Sequence, residues 1–243
     1  MAGHSKWANI KHKKEKTDAQ KGKIFTKLGR EIAIAVREGG SDPEVNSKLK
    51  DVIAKAKANN MPNENIMRSI KKAAGELGSV SYEEITYEGY GPEGVAIIVE
   101  AVTDNRNRTA GEIRHIFDRS GGSLGATGCV GWMFERKGLI LIEKKDGIDV
   151  DEIMMLAIDS GAEDVEETED SIVITTAVDS FEMVKNTLTE SNIEIFSADL
   201  SFIPNSTISV SEEDNERLEK LLESLEDHDD VQNVYTNYEP EEN

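Results

Sequence analysis

The sequence predicts an α+β protein with an N-terminal three-helix bundle and two ferredoxin-like α/β sandwich domains, one inserted in the other. Three observations support this prediction. Between Ile24 and Ala74, apolar side chains recur at the helical spacing of three and four. From Gly138 onward, segments typical of strands and helices follow one another in the βαββαβ order of a ferredoxin-like domain. Similar but incomplete sets of segments flank this stretch, which indicates a second domain that the insertion divides.

Three helices are expected near the N-terminus, after a polar, lysine-rich arm that extends to about Ala19. The first apolar stripe runs from Ile24 to Val36 at steps of three and four. The segment Ser41-Asp42-Pro43-Glu44 predicts the start of the second helix, because a capping side chain precedes a proline and an acid. Asn59-Asn60-Met61-Pro62 ends that helix, and a third stripe runs from Ile66 to Ala74. Short links between three such helices are typical of a small bundle.

After Gly75 the pattern changes to that of strands, and the same kinds of segment return near the C-terminus. The elements assigned to this interrupted domain are strands at Tyr82–Tyr90 and Gly94–Val102, a helix at Thr109–Ser120, a loop at Ser123–Gly128, a strand near Val130–Phe134, a strand at Thr207–Val210, a helix at Glu212–Leu225 and a strand at Val231–Tyr235. Joined across the insertion, the two halves give a second βαββαβ unit.

The inserted domain has the clearest pattern in the chain. Its predicted elements are strand Leu139–Ile142, helix Val150–Asp159, strand Glu163–Glu167, strand Ile172–Thr176, helix Phe181–Thr189 and strand Glu194–Ser201. The predicted domain boundaries are therefore 1–76 for the basic bundle with its arm, 77–136 plus 205–240 for the discontinuous domain, and 137–204 for the inserted domain.

Charge is distributed very unevenly along the chain. Met1 to Lys72 contains 14 Lys and 3 Arg against 8 Asp or Glu, a net charge of +9. The remaining residues contain 11 basic and 40 acidic side chains, a net charge of −29. A basic region on an otherwise acidic chain orients in the field of a polyanion, and the acidic part resists non-specific contact with it. We therefore expect nucleic acid as the partner, bound by the N-terminal end.

Several classes of protein are disfavoured by the sequence. No apolar run approaches the roughly 18 residues that a membrane helix requires. The start of the chain has no apolar core with a cleavage site, so no secretory signal is indicated. A single cysteine, Cys129, cannot form an internal disulfide, which fits a reducing compartment. These features predict a cytoplasmic protein without a membrane partner.

The segment Gly89-Tyr90-Gly91-Pro92-Glu93-Gly94 has the spacing G-x-G-x-x-G. In a dinucleotide site this motif follows a strand and opens a helix whose N-terminus binds the pyrophosphate. Here the motif opens a predicted strand and contains Pro92, so the required context is absent. We interpret it as a tight loop between two strands, which could also form a contact surface.

No arrangement of residues indicates a catalytic or metal centre. His4 and His12 have no cysteine and no carboxylate pair at a spacing typical of metal ligands. His115 faces a predicted helix, and His228 lies in an acidic turn. Cys129 has no nearby histidine that would support a thiolate nucleophile. We therefore expect no enzymatic activity, no metal, no cofactor and no small-molecule substrate.

Basic and aromatic residues supply the predicted contacts to nucleic acid. They are Lys6, Trp7, Lys11, Lys13, Lys14, Lys16, Lys21, Lys23, Lys27, Arg30, Arg106 and Arg108. The alternative for the lysines is that they only solvate the surface, as charge runs usually do. Arg106 and Arg108 lie between a predicted strand and helix, where backbone N–H groups favour an anion; alternatively they pair with local acids in a polar turn.

Two long motifs resemble the signatures of the YebC/PmpR family. One is Met1 to Ile32, MAGHSKWANIKHKKEKTDAQKGKIFTKLGREI, and the other is Tyr87 to Thr109, YEGYGPEGVAIIVEAVTDNRNRT. Gly131-Trp132-Met133-Phe134 stands where the family has a similar strand with an aromatic end. Two positions depart from the pattern: Glu93 replaces a usual glycine, beside a possible binding loop, and Gly29 replaces a usual aliphatic residue in the first helix.

This resemblance implies a three-domain architecture and no enzymatic activity. A candidate functional loop surface, formed by Tyr90, Gly91, Pro92, Met133 and Phe134, would face the functional centre if the protein acts at the ribosome. Most members of the family are described as DNA-binding regulators of transcription. Others, including the mitochondrial translational activator of cytochrome oxidase, act at the ribosome and assist synthesis through proline-rich stretches.

Two functions therefore remain open at the level of sequence. The first is a transcriptional regulator that binds promoter DNA through the basic bundle. The second is a ribosome-associated translation factor that binds large-subunit RNA, with RNA binding and translation regulation as its role. Lysine dominates the basic region, and lysine mostly contacts phosphate. The sequence shows no helix-turn-helix whose recognition helix bears Arg, Asn and Gln at base-reading positions, which counts against specific binding of promoter DNA.

Overall fold

The computed structural model describes residues 21–76, 81–145 and 147–239. Within these ranges the helices are α1 (Lys21–Gly39), α2 (Ser47–Ala58), α3 (Asn63–Ala73), α4 (Arg106–Arg119), α5 (Val150–Asp159), α6 (Phe181–Glu190) and α7 (Glu212–Glu226). The strands are β1 (Glu83–Tyr90), β2 (Ala96–Thr103), β3 (Ser123–Leu124), β4 (Phe134–Glu143), β5 (Ala162–Glu167), β6 (Ser171–Thr176), β7 (Ser197–Pro204) and β8 (Val231–Thr236). No helix in the described ranges is long and apolar enough to cross a membrane.

The described residues group into two compact units. The first unit contains residues 21–76, 81–131 and 210–236, and therefore holds the helical bundle together with one sheet. The second unit contains residues 132–145, 147–209 and 237–239 and holds the other sheet. The α+β fold class, with N-terminal helices followed by two sheet-containing parts, is confirmed. The exact boundaries of the three domains remain a prediction.

In the bundle, α1 packs against both α2 and α3, and the core is built from the apolar stripes seen in the sequence. The predicted start of the second helix at Ser41–Glu44 is wrong. Asn46 is the cap: its side-chain oxygen accepts a hydrogen bond from the Leu49 N–H, and its amide group donates to the carbonyls of Ala35 and Gly40. Because this buried side chain joins both ends of the α1–α2 link, the helix begins one residue after it.

The sheet of the first unit has the strand order β3-β1-β2-β8, and all neighbouring strands are antiparallel. Its helices α4 and α7 pack against the sheet through Phe117 and through Leu218 and Leu221. Phe117 lies so close to Gly89 that a Cβ at that position would be 2.8 Å from the ring, so a side chain there cannot be accommodated without movement.

Several predicted elements of the interrupted domain differ from the structure. Thr207–Val210 is not a strand of this sheet, because Ile208 makes only an isolated bridge to Tyr238 in the second unit. The predicted loop Ser123–Gly128 contains the short edge strand β3. The predicted strand near Val130–Phe134 is instead a 3₁₀ turn at Gly131–Met133 that leads into β4. Helix α4 begins at Arg106 rather than Thr109, because Asn105 caps it.

The sheet of the second unit has the order β5-β6-β4-β7, so the first strand in sequence, β4, lies between the third and the fourth. This is the antiparallel arrangement expected of a βαββαβ unit. Helices α5 and α6 cover one face around a core that includes Ile140 and Ile174. Gly138 is required by this packing, since a Cβ there would lie 2.4 Å from the Phe181 ring.

Candidate nucleic-acid interface

One face of α1 carries most of the predicted cations of the bundle that the structure describes. Lys23, Lys27, Arg30, Ile34 and Arg37 recur at intervals of four and three residues, so they form a single stripe along the helix. The bundle core uses a different face, through residues such as Leu28 and Ile32. We call this set of five residues the α1 stripe.

The N-terminal half of the α1 stripe contacts the end of α7. Lys23 Nζ lies 3.2 Å from the Asp227 carboxylate, and Lys27 Nζ donates a hydrogen bond of 2.7 Å to the Glu226 carbonyl. The last carbonyls of a helix lack partners within the helix and form the negative end of its dipole. Two lysines at this position therefore stabilise the C-terminus of α7.

Arg30 makes the most enclosed contacts of the α1 stripe. Its guanidinium lies 2.7 Å from the Asp230 carboxylate, and these two side chains are only 14% and 3% exposed. It also donates hydrogen bonds to the carbonyls of Asp229 and Val102. Farther along the stripe, Arg37 donates to the carbonyl of Tyr82. These contacts join α1 to the sheet within the first unit.

Asp230 is the centre of this network. Its Oδ2 accepts hydrogen bonds from Thr109 Oγ1 at 2.6 Å and from Arg108 at 2.9 Å, while Oδ1 faces Arg30. Burial would raise the pKa of Asp230, but the hydrogen bonds from Thr109 and Arg108 and the charges of both arginines outweigh it and lower this pKa. The carboxylate is therefore held in its charged form.

The turn before α4 places its two arginines differently. Arg108 contacts both Asp230 and Asp104, at 2.9 and 3.0 Å, and these acids raise its pKa above the ordinary value. Arg106 is 68% exposed and lies 4.0 Å from Glu83. Arg108 therefore has the internal pairing of a structural residue, whereas Arg106 presents most of its guanidinium to solvent.

Among the described residues, one group of side chains is spaced closely enough to hold a metal ion. It consists of Glu112, His228 and Asp230, whose possible ligand atoms lie within 4.8 Å of one another. The Asp230 carboxylate is already paired with Arg30 and Arg108. Arg108 also lies 3.9 Å from Glu112, so a guanidinium supplies the positive charge that a metal would bring. The arrangement is better described as an ion-pair network.

The Gly89–Gly94 segment ends strand β1 and then forms the tight loop that leads to β2. Its Gly91 and Pro92 are buried against α7, and a Cβ at Gly91 would lie 3.2 Å from Leu218. The Tyr90 hydroxyl donates to the Cys129 carbonyl at 3.0 Å. No helix begins after the last glycine of the loop, so the arrangement agrees with a strand connection rather than a dinucleotide site.

Comparisons with known proteins identify the family. Residues 5–76 match the TACO1/YebC protein N-terminal domain, and residues 82–238 match the TACO1/YebC second and third domain. The chain belongs to the TACO1/YebC family. The resemblance stated from the sequence motifs is therefore confirmed.

Similar proteins in this family span the whole chain. A "Probable transcriptional regulatory protein" of Acetivibrio thermocellus is 63% identical over 98% of this chain and 99% of its own length. A protein of Thermoanaerobacter pseudethanolicus with the same description is 59% identical over 100% and 98%. The crystal structure of a conserved hypothetical protein from Aquifex aeolicus is 48% identical, covers 94% of both chains and superposes with a TM-score of 0.85.

The structure describes the surroundings of Glu93 and Gly29, the two positions at which we expected a departure from the family pattern. Glu93 has a left-handed φ of 51°, a conformation that favours glycine. Its carboxylate accepts hydrogen bonds from the Ser211 hydroxyl at 2.8 Å and the Ser211 N–H at 3.3 Å, just before α7. At Gly29, α1 approaches α3 closely, since a Cβ there would lie 3.3 Å from Ser69 Oγ.

A residue that the sequence did not single out, Glu88, organises the glycine-rich loop after β3. Its carboxylate accepts hydrogen bonds from the N–H groups of Gly128, Val130 and Gly131, at 2.6 to 2.9 Å. Burial raises the pKa of Glu88, but these three hydrogen bonds outweigh it and lower this pKa. The only signal in the sequence was an acid in a predicted strand, followed about forty residues later by a glycine-rich loop.

The remaining predicted site residues are distributed as follows. Met133 and Phe134 belong to the second unit, where the Met133 carbonyl accepts from the Asn205 N–H and Phe134 is buried beside Pro204. Lys21 opens α1, but its side chain lies outside the described residues, as do the arm residues Lys6, Trp7, Lys11, Lys13, Lys14 and Lys16. Their contact with nucleic acid stays a prediction.

Proposed function

We propose that this TACO1/YebC protein is a DNA-binding regulator of transcription that acts without catalysis and binds through its basic helical bundle. The descriptions of its curated relatives as probable transcriptional regulatory proteins support a regulator. The binding of DNA is our own step beyond those descriptions.

The observation that supports this step is the charge of the bundle. Residues 21–76 contain nine Lys and three Arg against seven Asp or Glu, a net charge of +5 in a chain of net charge −20. The acidic remainder repels a polyanion, so the field of the molecule directs DNA to the bundle. Contacts of lysine with phosphate give affinity that depends steeply on salt but little on base sequence.

The excess of Lys over Arg on the described helices of the bundle predicts weak discrimination between promoters by the bundle alone. Along the described helices of the bundle, Lys outnumbers Arg by three to one. Lysine contacts phosphate as a point charge, whereas bidentate readout of bases relies mainly on Arg, Asn and Gln. We therefore expect partner proteins or DNA shape to supply target choice.

The test is ultraviolet crosslinking in cells, followed by sequencing of all DNA and RNA attached to the purified protein. Enrichment of a small number of promoter regions, with ribosomal RNA at background, is the expected result. Enrichment of one discrete region of large-subunit ribosomal RNA would overturn the transcriptional role and establish a function at the ribosome instead.

A further inference from the structure

Helix α2 carries four lysines, and they lie on two opposite flanks. Lys48 Nζ is 2.8 Å from Glu38, and Lys55 Nζ is 3.3 Å from Glu31, so this pair faces α1. At 100° per residue, Lys48 and Lys55 project to one side of the buried Leu49. Lys50 and Lys57 project by about the same angle to the other side.

Lys50 and Lys57 therefore form a second, separate row on α2. They are seven residues apart, which is two helical turns and about 10 Å along the axis. Both are exposed. Alanine at position 54 lies between them on the same side, so the row contains no acid.

Helix α3 has a corresponding free flank. Its Ser69 lies beside Gly29 of α1, and Ile66 and Ile70 face the bundle core. Met67, which is 52% exposed, and Lys71 one turn later therefore project away from α1. Lys72 is exposed in the last turn of the same helix, on the side toward Ser69 rather than on the Met67 side.

Lys50 and Lys57 on α2, and Lys71 and Lys72 on α3, differ from the cations of the α1 stripe in their pairing. Within residues 21–76, 81–131 and 210–236, Lys50, Lys57, Lys71 and Lys72 have no acidic partner within ion-pair distance. By contrast, the lysines and arginine of the α1 stripe that sequence analysis selected are in contact with carboxylates or carbonyls. Ammonium groups without a partner bind phosphate with no internal contact to break first.

We propose that these free flanks of α2 and α3 are the surface that binds the phosphodiester backbone of nucleic acid. Lys50, Lys57, Lys71 and Lys72 contact phosphates, and the α1 stripe holds the bundle to its sheet. The assignment rests on the proposed function, since it names the residues of the bundle that perform it. The occupant we assign is the backbone of duplex DNA, in line with the proposed function; single-stranded RNA, which carries the same phosphodiester charge, is the comparison in the test.

The structure offers a matched pair of variants on one helix. Lys50→Gln with Lys57→Gln removes two unpaired charges, and Lys48→Gln with Lys55→Gln removes two that are paired with α1. Binding to a fluorescent DNA duplex, and separately to single-stranded RNA, is measured by anisotropy across a series of salt concentrations. A plot of log K against log salt has a negative slope. Each lost phosphate contact reduces the magnitude of this slope by about 0.9 on duplex DNA and about 0.7 on a single strand.

On duplex DNA, the magnitude of the slope should fall by about 1.8 for the Lys50/Lys57 variant and should not change for the Lys48/Lys55 variant. The corresponding change on single-stranded RNA is about 1.4. Tighter binding of the unmodified protein to the duplex than to RNA at the same salt concentration is expected, and the reverse would overturn DNA as the occupant. Lys71→Gln with Lys72→Gln, on a different helix, should reduce the magnitude of the slope in the same way. It keeps the test valid if the first variant fails to fold by circular dichroism.

Two outcomes separate the inference from the function on which it rests. The unmodified protein could bind nucleic acid while the Lys50/Lys57 and Lys71/Lys72 variants show the same salt slope as the unmodified protein, or while the Lys48/Lys55 variant shows an equal reduction. Either result would overturn the assigned surface but leave the proposed function standing. If the unmodified protein binds neither polymer at low salt, the proposed function itself fails.

Discussion

Arg30 and Asp230, two hundred residues apart in the chain, form an ion pair of 2.7 Å that is almost completely enclosed. Asp230 also receives hydrogen bonds from Thr109 and Arg108, so one carboxylate connects α1, α4 and the start of β8. Removal of one partner of a buried pair leaves an uncompensated charge, which usually costs more than the pair contributes.

Asp230→Asn should therefore destabilise the first unit by about 3 kcal/mol, because two arginines lose their common carboxylate. The free energy of unfolding in urea measures this effect. Asp227→Asn is the matched control, since Asp227 pairs with Lys23 while its side chain is 46% exposed. Equal losses for both variants would mean that Asp230 is no more important than a surface acid.

The same carboxylate should make stability depend on pH. The folded pKa of Asp230 is lowered, so its contribution is complete above the ordinary carboxyl pKa of about 4. That contribution is lost as the pH falls through the lowered folded value. The difference in unfolding free energy between the unmodified protein and Asp230→Asn should shrink in acid, as urea titrations at a series of pH values would reveal. A constant difference would contradict the assigned charge state.

Glu88→Ala should loosen the loop that ends at Gly131. Three backbone N–H groups lose their acceptor, and each unsatisfied buried donor costs about 1–3 kcal/mol unless the loop opens to water. Hydrogen exchange should therefore accelerate at Gly128, Val130 and Gly131. Glu84→Ala, an exposed position on the same strand, should leave these rates unchanged. Equal protection in both variants would show that Glu88 does not hold the loop.

Substitutions of Glu93 should reveal the strain of its left-handed backbone. Glu93→Ala and Glu93→Gly both lose the hydrogen bonds to Ser211, so their difference reports the backbone alone. The glycine variant should be more stable by about 1 kcal/mol, since only a residue with a Cβ is penalised at this φ. Thermal unfolding provides the comparison. At Glu84, inside β1, the order of the two variants should reverse.

Charge reversal in the arm tests the contribution of residues before α1. Lys11→Glu, Lys13→Glu and Lys14→Glu together should abolish association with nucleic acid, because six units of charge change at the binding end. The melting temperature should stay the same, since the apolar stripes of the bundle begin later in the sequence.

A control with the same net charge distinguishes local from general repulsion. Reversal of Lys144, Lys145 and Lys220 changes the total charge equally but lies outside the bundle. This variant should retain binding. If the arm variant still binds nucleic acid, its lysines act only as solvated charge.

The sequence predicted helices and strands best where one face of the element is buried and the other is exposed. The stripe from Ile24 to Val36 fixed α1 closely, and the segments after Gly138 gave the strands of the second unit in their correct order. Local periodicity follows directly from burial, so these elements could be identified without knowledge of the rest of the fold.

Contacts between distant segments could not be predicted in this way. The sequence identifies Lys23 and Lys27 as basic, but their partners at Asp227 and Glu226 lie about two hundred residues away. Periodicity contains no information on such pairs. The same limit applies to Ile208, whose only strand-like partner, Tyr238, follows a helix and a strand of the first unit.

The contacts of the α1 stripe also have a consequence during synthesis of the chain. Its acceptors at Glu226, Asp227 and Asp230 are synthesised about two hundred residues after α1. A bundle that folds as it leaves the ribosome keeps these cations uncovered until those acceptors have been made. Nascent copies therefore have a larger basic surface than finished ones.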